Sequence, residues 1–156
     1  MIRKATVHDT AVICQLIREL AEYERLSHEV VVEESRLREH LFGPRPFAEV
    51  LLVEDGGEIL GFAFYFYTYS TFLGRPGIYL EDLFVRPAHR GKGHGKALLI
   101  QLARTAVEQG CGRVEWAVLN WNAPAIRFYQ SLHAKPMTEW TVYRLSGQSL
   151  QDRARG

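Results

Sequence analysis

Arg90-Gly91-Lys92-Gly93-His94-Gly95-Lys96 separates a strand-like run from a helix-like one, and its reading decides the fold. Upstream, Gly77-Ile78-Tyr79-Leu80-Glu81-Asp82-Leu83-Phe84-Val85 is apolar, with aromatic and β-branched residues, and Pro87 closes it. Downstream, Ala97-Leu98-Leu99-Ile100-Gln101-Leu102-Ala103 has helical spacing and strong helix formers. Three glycines at alternate positions let the backbone approach a bound group closely. A helix N-terminus then presents free N–H groups and a partial positive charge to that group. The physics points to an anion site for phosphate or pyrophosphate; a ligand-free glycine turn is the other reading of the loop alone.

Spacing narrows the ligand. A Walker loop needs glycine where Arg90 stands and Ser or Thr where Ala97 stands. The dinucleotide fingerprint needs a third glycine where Lys96 or Leu98 stands, depending on the starting glycine. The pattern present is Arg-x-x-Gly-x-Gly, on Arg90, Gly93 and Gly95.

The chain has 156 residues, 47% hydrophobic and 24% charged, which suits one soluble domain with a real core. A net charge of +1 gives no bulk electrostatic case for nucleic acid or an anionic membrane. No uncharged apolar stretch reaches spanning length, and the first residues lack a secretory signal pattern. Cys14 and Cys111 are read as buried free thiols, with no disulfide framework and no metal spacing. The six histidines show no ligand spacing either, so no metal is expected. These features suit a cytoplasmic protein.

Along the chain, Ile2 to Thr6 reads as a strand. A helix follows, entered through a Thr6/Asp9 capping arrangement and marked by Ile13, Leu16, Ile17 and Leu20. A second helix covers Glu33 to Leu41 and stops at Gly43-Pro44. Val50 to Glu54 and Ile59 to Tyr69 read as a hairpin around Asp55-Gly56-Gly57, its second strand central and covered on both faces. After the glycine loop and its helix come a strand at Arg113 to Leu119 and a helix capped by Asn122 with Pro124 in its first turn. Trp140 to Leu145 reads as a last strand. Residues 1–146 are thus one α/β domain with a mixed sheet, in the order βααβββαβαβ, and 147–156 a polar tail prone to fraying.

Glu81-Asp82 interrupts an apolar strand with two acids, and burying charge without a partner is costly. Neighbouring strand residues face opposite sides, so a regular strand turns only one of them into a given cleft. A β-bulge would re-aim the second. The strand pattern leaves open which of the two faces the cleft. Asn122 has a structural role as a helix cap whatever else it does. A helical Tyr such as Tyr129 is, taken alone, more often packing than catalysis.

Arg90-x-x-Gly93-x-Gly95 resembles the acetyl-CoA loop of the GCN5-related N-acetyltransferases, and Asn122-x-x-Ala125-x-x-Phe128-Tyr129 resembles their next cofactor segment. Leu20-Ala21-Glu22-Tyr23-Glu24, the aromatic run Gly61 to Tyr69, Tyr79 to Val85 and Trp121-Asn122-Ala123-Pro124 look like the spermidine/spermine (diamine) acetyltransferases and their thialysine-acetylating relatives. The likeness runs from the first strand to Leu145.

The resemblance implies the GNAT fold, acetyl-CoA as cosubstrate, and a site distributed over named residues. Backbone amides of Leu83, Phe84 and Val85 would pair with pantetheine and polarise the thioester. Those of Gly91, Lys92, Gly93, His94, Gly95 and Lys96 would hold the pyrophosphate, with Arg90 adding charge. Asn122 and Ala125 would meet the pantetheine arm. Tyr129 would protonate the leaving thiolate. Glu81 would receive a cationic amine and its proton, with Asp82, Tyr23 and Glu24 nearby and Glu139 and Trp140 lining the pocket. An intertwined homodimer is also implied.

Three positions depart from the family: Glu115 where polyamine enzymes often have His, Ala125 for a Ser, and His133 for a Gly. The expected reaction is direct transfer of acetyl to a primary amine of a polyamine, diamine or thialysine/lysine-like molecule in a ternary complex. An enzyme acting on a protein amine and a non-catalytic acyl-CoA sensor are the competing readings.

Overall fold

One strand, β4 (Arg75–Val85), organises the fold, because it pairs on one side with the longest strand and on the other begins the parallel part of the sheet. The computed structural model describes residues 1–156. They divide into two compact units, Met1–Ala117 and Val118–Gly156.

The first unit is a five-stranded sheet in the order β1-β2-β3-β4-β5. Besides β4 it holds β1 (Ile2–Lys4), β2 (Glu49–Asp55), β3 (Glu58–Ser70) and β5 (Val114–Glu115). All pairs are antiparallel except β4 with β5. Helices α1 (Thr10–Tyr23) and α2 (Glu34–Phe42) lie between β1 and β2 in the chain, and α3 (His94–Glu108) between β4 and β5.

The period of two in β3 builds both layers. Phe62, Phe64 and Phe66 alternate with Ala63, Tyr65 and Tyr67. Phe62 and Phe84, with Val50 and Leu52, form one core with Ile13, Cys14, Leu16 and Leu20 of α1 and Leu37 and Leu41 of α2. Residues of the opposite parity, Leu51, Val53, Ala63, Tyr65 and Leu80, are buried on the other face. There α3 packs against β2, β3 and β4, with Leu98, Leu99, Leu102 and Ala106 buried. The expected central strand is therefore covered on both faces as far as Tyr65. Beyond it β3 has no partner on β2, and exposure climbs from 0% at Tyr65 to 44% at Tyr67 and 64% at Tyr69.

The entry to α1 joins helix to sheet. Asp9 accepts from the Thr6 backbone N–H (2.7 Å), the interaction expected of the capping arrangement. It also takes a bidentate pair from Arg3 of β1 (2.8 and 2.9 Å), and the Arg3 Nε–H donates to Glu54 of β2. Charge-assisted forks of this kind are strong and directional. At the far side, the Arg86 guanidinium grips Glu19 of α1 (3.0 and 3.2 Å) and donates to the Ile59 carbonyl (2.8 Å).

The second unit contains α4 (Ala123–Ser131) and α5 (Gly147–Ala154). The polar tail thus forms a two-turn helix, with every residue exposed. The strand expected at Trp140–Leu145 is not formed. A strand exists only through a ladder, and this run has none, leaving Trp140, Val142, Tyr143 and Leu145 at 59–93% exposure. The strand expected over Arg113 to Leu119 pairs only at Val114 and Glu115. Cys14 is buried as expected, its thiol pKa pushed up by burial, but Cys111 is only partly so.

Arg3 and the Thr6 amide hold the Asp9 carboxyl well below the usual range, at about 2. A depressed folded-state value means that stability from this pair is complete above the ordinary aspartate value near 4 and is lost as pH falls toward 2. Asp9→Asn should lower the unfolding free energy at neutral pH by about 1–3 kcal/mol. It should also flatten the acid limb; urea denaturation at stepped pH measures both, and an unchanged acid limb would exclude Asp9 as its source.

Candidate functional site

The glycine loop forms two structures in succession. A 3-10 turn at Pro87–His89 leads into an open stretch, and α3 begins at His94. His94, Gly95 and Lys96 are therefore the first turn of the helix. Their N–H groups precede the first intrahelical bond, from Ala97 N–H to Gly93 O (2.9 Å). Gly91 and Gly93 take φ of +76° and +84°, which side chains with a Cβ resist. Gly95 has ordinary backbone, and a Cβ there would meet only Val85 Cγ2 at 3.9 Å. Nothing in the chain itself demands glycine at 95. Side chains at these positions would fill the space over the helix N-terminus, so the loop fits a bulky anion such as a pyrophosphate. Lys92 and Lys96 are exposed beside it, and His94 is half-buried.

The acids upstream are re-aimed by a bulge. Tyr79 pairs with Phe66, Leu80 with Tyr65 and Asp82 with Phe64, so Glu81 has no partner on β3. Tyr79 and Asp82 thus share a face although three residues apart, a spacing that a regular strand forbids. Glu81, two residues beyond Tyr79 and next to Asp82, joins them on that face, and its charge raises the pKa of both. This is the face of Phe62, Phe84 and α1. Glu81 is exposed, whereas Asp82 is half-buried. Burial first, then the charges of Glu81 and Glu24, pushes the Asp82 carboxyl up to about 7. Leu83 and Val85 pair with Ala63 and Gly61 on the α3 side. At Gly61 a Cβ would lie 2.4 Å from the Phe84 carbonyl, so glycine there lets β3 and β4 close up beside the loop.

The last turn of α1 brings Tyr23 and Glu24 to the same corner. The helix ends as Leu26 N–H returns to Ala21 O (2.8 Å), with Arg25 at φ +61°. Burial raises the Glu24 carboxyl. Arg90 turns back toward this corner: its Nε–H donates to Val85 O (2.7 Å), and its Cζ sits 4.4 Å from the Tyr23 ring centroid and 5.3 Å from that of Phe84. Tyr23, Glu24, Glu81, Asp82, Phe84 and Arg90 therefore form one neighbourhood in the first unit. Sequence reading missed Arg86, whose grip on Glu19 fixes the helix one turn before Tyr23. The pair is separated by 67 residues, so no local pattern signals it.

In the second unit, Asn122 is buried and caps α4, accepting from Ala125 N–H (3.3 Å). Tyr129 is half-buried in that helix, its ring 5.6 Å from that of Phe128. Glu139 and Trp140 are exposed. His133 stands at φ +63°, a left-handed conformation that glycine adopts more readily than a residue with a Cβ. Glu115, in the first unit, pairs with Arg113 (3.0 Å). No cluster of three or more His, Cys, Asp or Glu could hold a metal ion, and no helix is long and apolar enough to cross a membrane.

An anion cradle between a bulged strand and a helix is the mark of an acyl-CoA-dependent transferase, and comparison with known proteins agrees. The acetyltransferase (GNAT) family model matches residues 14–134. The chain is 39% identical to the thialysine N-epsilon-acetyltransferase of Bos taurus over 99% of its own length and 96% of the relative's. It is 35% identical to an L-ornithine N5-acetyltransferase of Arabidopsis thaliana, over 96% and 86%. Among solved structures, an integron cassette protein from the mobile metagenome of V. cholerae matches with a TM-score of 0.84 at 27% identity, covering 100% of this chain and 98% of the other.

The chain belongs to the GNAT family. It is an acetyl-CoA-dependent N-acetyltransferase, similar along nearly its whole length to the thialysine-acetylating enzymes.

Opposite effects on folding and binding test the cradle. Gly95→Ala should stabilise the fold by about 0.5–1 kcal/mol, because alanine is the better helix residue. It should also weaken acetyl-CoA binding about tenfold or more by filling the cradle. Calorimetric titration beside thermal unfolding reads both, and unchanged affinity would remove Gly95 from the pyrophosphate site.

Proposed function

We propose that this enzyme moves acetyl from acetyl-CoA to a primary amine of a small cationic molecule, a polyamine, diamine or thialysine/lysine-like amino acid, by direct attack in a ternary complex. The observation that carries the reading is the group of three carboxylates, Glu24, Glu81 and Asp82, brought to one corner by the bulge and the end of α1. Such a group attracts ammonium ions and repels anions. The names of the relatives, which specify thialysine and ornithine, support the same class of acceptor.

The cationic substrate poses a chemical difficulty. A lysine-like amine has a pKa near 10.4, so only about one molecule in a thousand is neutral near pH 7. Carboxylates that bind the ammonium also hold its proton in place. One of them must therefore accept that proton before or during attack. Bound acetyl-CoA supplies an activated acyl carbon with a thiolate leaving group. Amides of Leu83, Phe84 and Val85 polarise the thioester oxygen, those of Gly91 to Lys96 with Arg90 hold the pyrophosphate, and Asn122 and Ala125 position the pantetheine arm. Tyr129 gives its hydroxyl proton to sulfur. Tyr23, Glu139 and Trp140 shape the amine pocket. No covalent intermediate on the enzyme is needed, and neither cysteine serves as a nucleophile.

Residues 1–146 act as one catalytic domain, in the cytoplasm and as a homodimer. The exposed apolar run Trp140, Val142, Tyr143 and Leu145 supports association with a second copy. Light scattering on a sizing column tests this, and a monomer at micromolar concentration would refute it.

A steady-state screen of thialysine, ornithine, lysine, putrescine, spermidine and short peptides, followed by CoA release, tests the acceptor class. We expect turnover with one or more free small amines well above that with peptides. Tight acetyl-CoA binding without turnover would instead make the protein a sensor. Tyr129→Phe should lower kcat by about 10²- to 10⁴-fold, with acetyl-CoA affinity nearly unchanged. Unaltered kcat under conditions where chemistry limits would exclude Tyr129 as the acid.

A further inference from the structure

The extra residue in β4 places two carboxyl groups side by side in unlike surroundings. Glu81 projects from the bulge into solvent. Asp82 returns to the ladder opposite Phe64, on the face packed by Phe62, Phe84 and α1. From its own strand Asp82 faces Glu81, and from the end of α1 it faces Glu24. From β3 it meets an aromatic ring that offers neither charge nor hydrogen bond. Arg90, the cation of this corner, is held over Tyr23 and Phe84 and donates its Nε–H to Val85 O. Asp82 is thus a poorly solvated acid with two like-charged neighbours.

We propose that Asp82, rather than Glu81, takes the proton from the substrate ammonium, while Glu81 binds the charge of the amine. The assignment rests on the amine-acetylating reading above. In the step, an N–H bond of the ammonium breaks and its proton passes to an Asp82 carboxylate oxygen, directly or through one water. The freed lone pair forms the C–N bond at the thioester carbon, and the C–S bond breaks as the tetrahedral centre collapses. The nitrogen's second proton passes through water to the Tyr129 phenolate, replacing the one that Tyr129 gives to sulfur. Asp82 then releases its proton to solvent.

Matching of acid strengths explains why the buried partner suits this task. Transfer from an amine near 10.4 to an ordinary aspartate near 4 is uphill by about six decades in equilibrium constant. Asp82, raised to about 7 by its surroundings, brings that gap to between three and four decades, while about half of it remains ionised near neutral pH. Glu81, exposed at the bulge, can meet a solvated substrate first. Asp82 carries base function only when ionised, so activity should rise with pH through about 7 and be lost below it.

The test compares pH profiles of kcat/KM for the best amine in wild type, Glu81→Gln and Asp82→Asn. It also includes a carbon-13 NMR titration of the Asp82 carboxyl in the unliganded enzyme. Wild type should show an acid limb near pH 7, with the Asp82 resonance titrating at the same pH. Glu81→Gln should keep the limb, moved to lower pH by loss of a like charge, and should raise KM for the amine several-fold more than it lowers kcat. Asp82→Asn should lose the limb and about a hundredfold or more in kcat, while binding acetyl-CoA as wild type does; Asp82→Glu should restore the limb in part.

Retention of the limb in Asp82→Asn with its loss in Glu81→Gln would give the proton to Glu81 and overturn the assignment. So would an Asp82 resonance titrating near 4 in wild type, a result that needs no variant to fold. Failure of wild type to acetylate any amine would overturn the acceptor class, and the assignment with it.

Discussion

The register break in β4 is the constraint on which the site depends. This strand must fill the core on two faces, with Phe84 toward α1 and Leu80 toward α3, and still carry acids to one edge of that core. Strict alternation would send Glu81 and Asp82 to opposite faces, one of them against the α3 layer. A single unpaired residue removes the conflict. After Glu81 the parity of the strand is reset, so Phe84 stays opposite Phe62 and both acids share the α1 face. The ladder loses regularity at one point, and the core keeps its packing on either side.

Around this break the charges are sorted by what holds them. Arg3 with Asp9 and Arg86 with Glu19 are paired forks, and they hold α1 against the sheet at its two ends. Asp82 and Glu24 lie between helix and sheet without such a partner, and their carboxyls are raised. Paired acids build the frame, and the acids without a cation are those we propose for the amine. Arg90 belongs to neither group. Its stacking on Tyr23 ties the start of the glycine loop to the end of α1.

Several parts of the fold were legible because they depend on short-range pattern. The Phe/Tyr alternation of β3, the Asp55-Gly56-Gly57 turn, the Asn122 cap and the glycine loop each involve residues a few positions apart. The segment Trp140–Leu145 has the same strand-like alternation, yet it forms no ladder, because a strand also needs a neighbour in register. The context of Cys111 suggests burial, and the thiol is only half-buried. Arg86 and Glu19 were invisible as a pair, since their meeting depends on the position of a whole helix.

The chemistry divides along the same line. By itself the sequence pointed to an anion site at the start of α3, since alternate glycines and a helix N-terminus follow from neighbouring residues. It also placed two acids just before that loop, but left open whether a bulge turns both to one face. Only the tertiary structure decided that they share one, because the bulge is a relation between two strands and appears when their registers are compared. It likewise decided that Arg90 faces Tyr23 and that Asp82 is the acid shielded from water, because burial and charge neighbours belong to the packed fold.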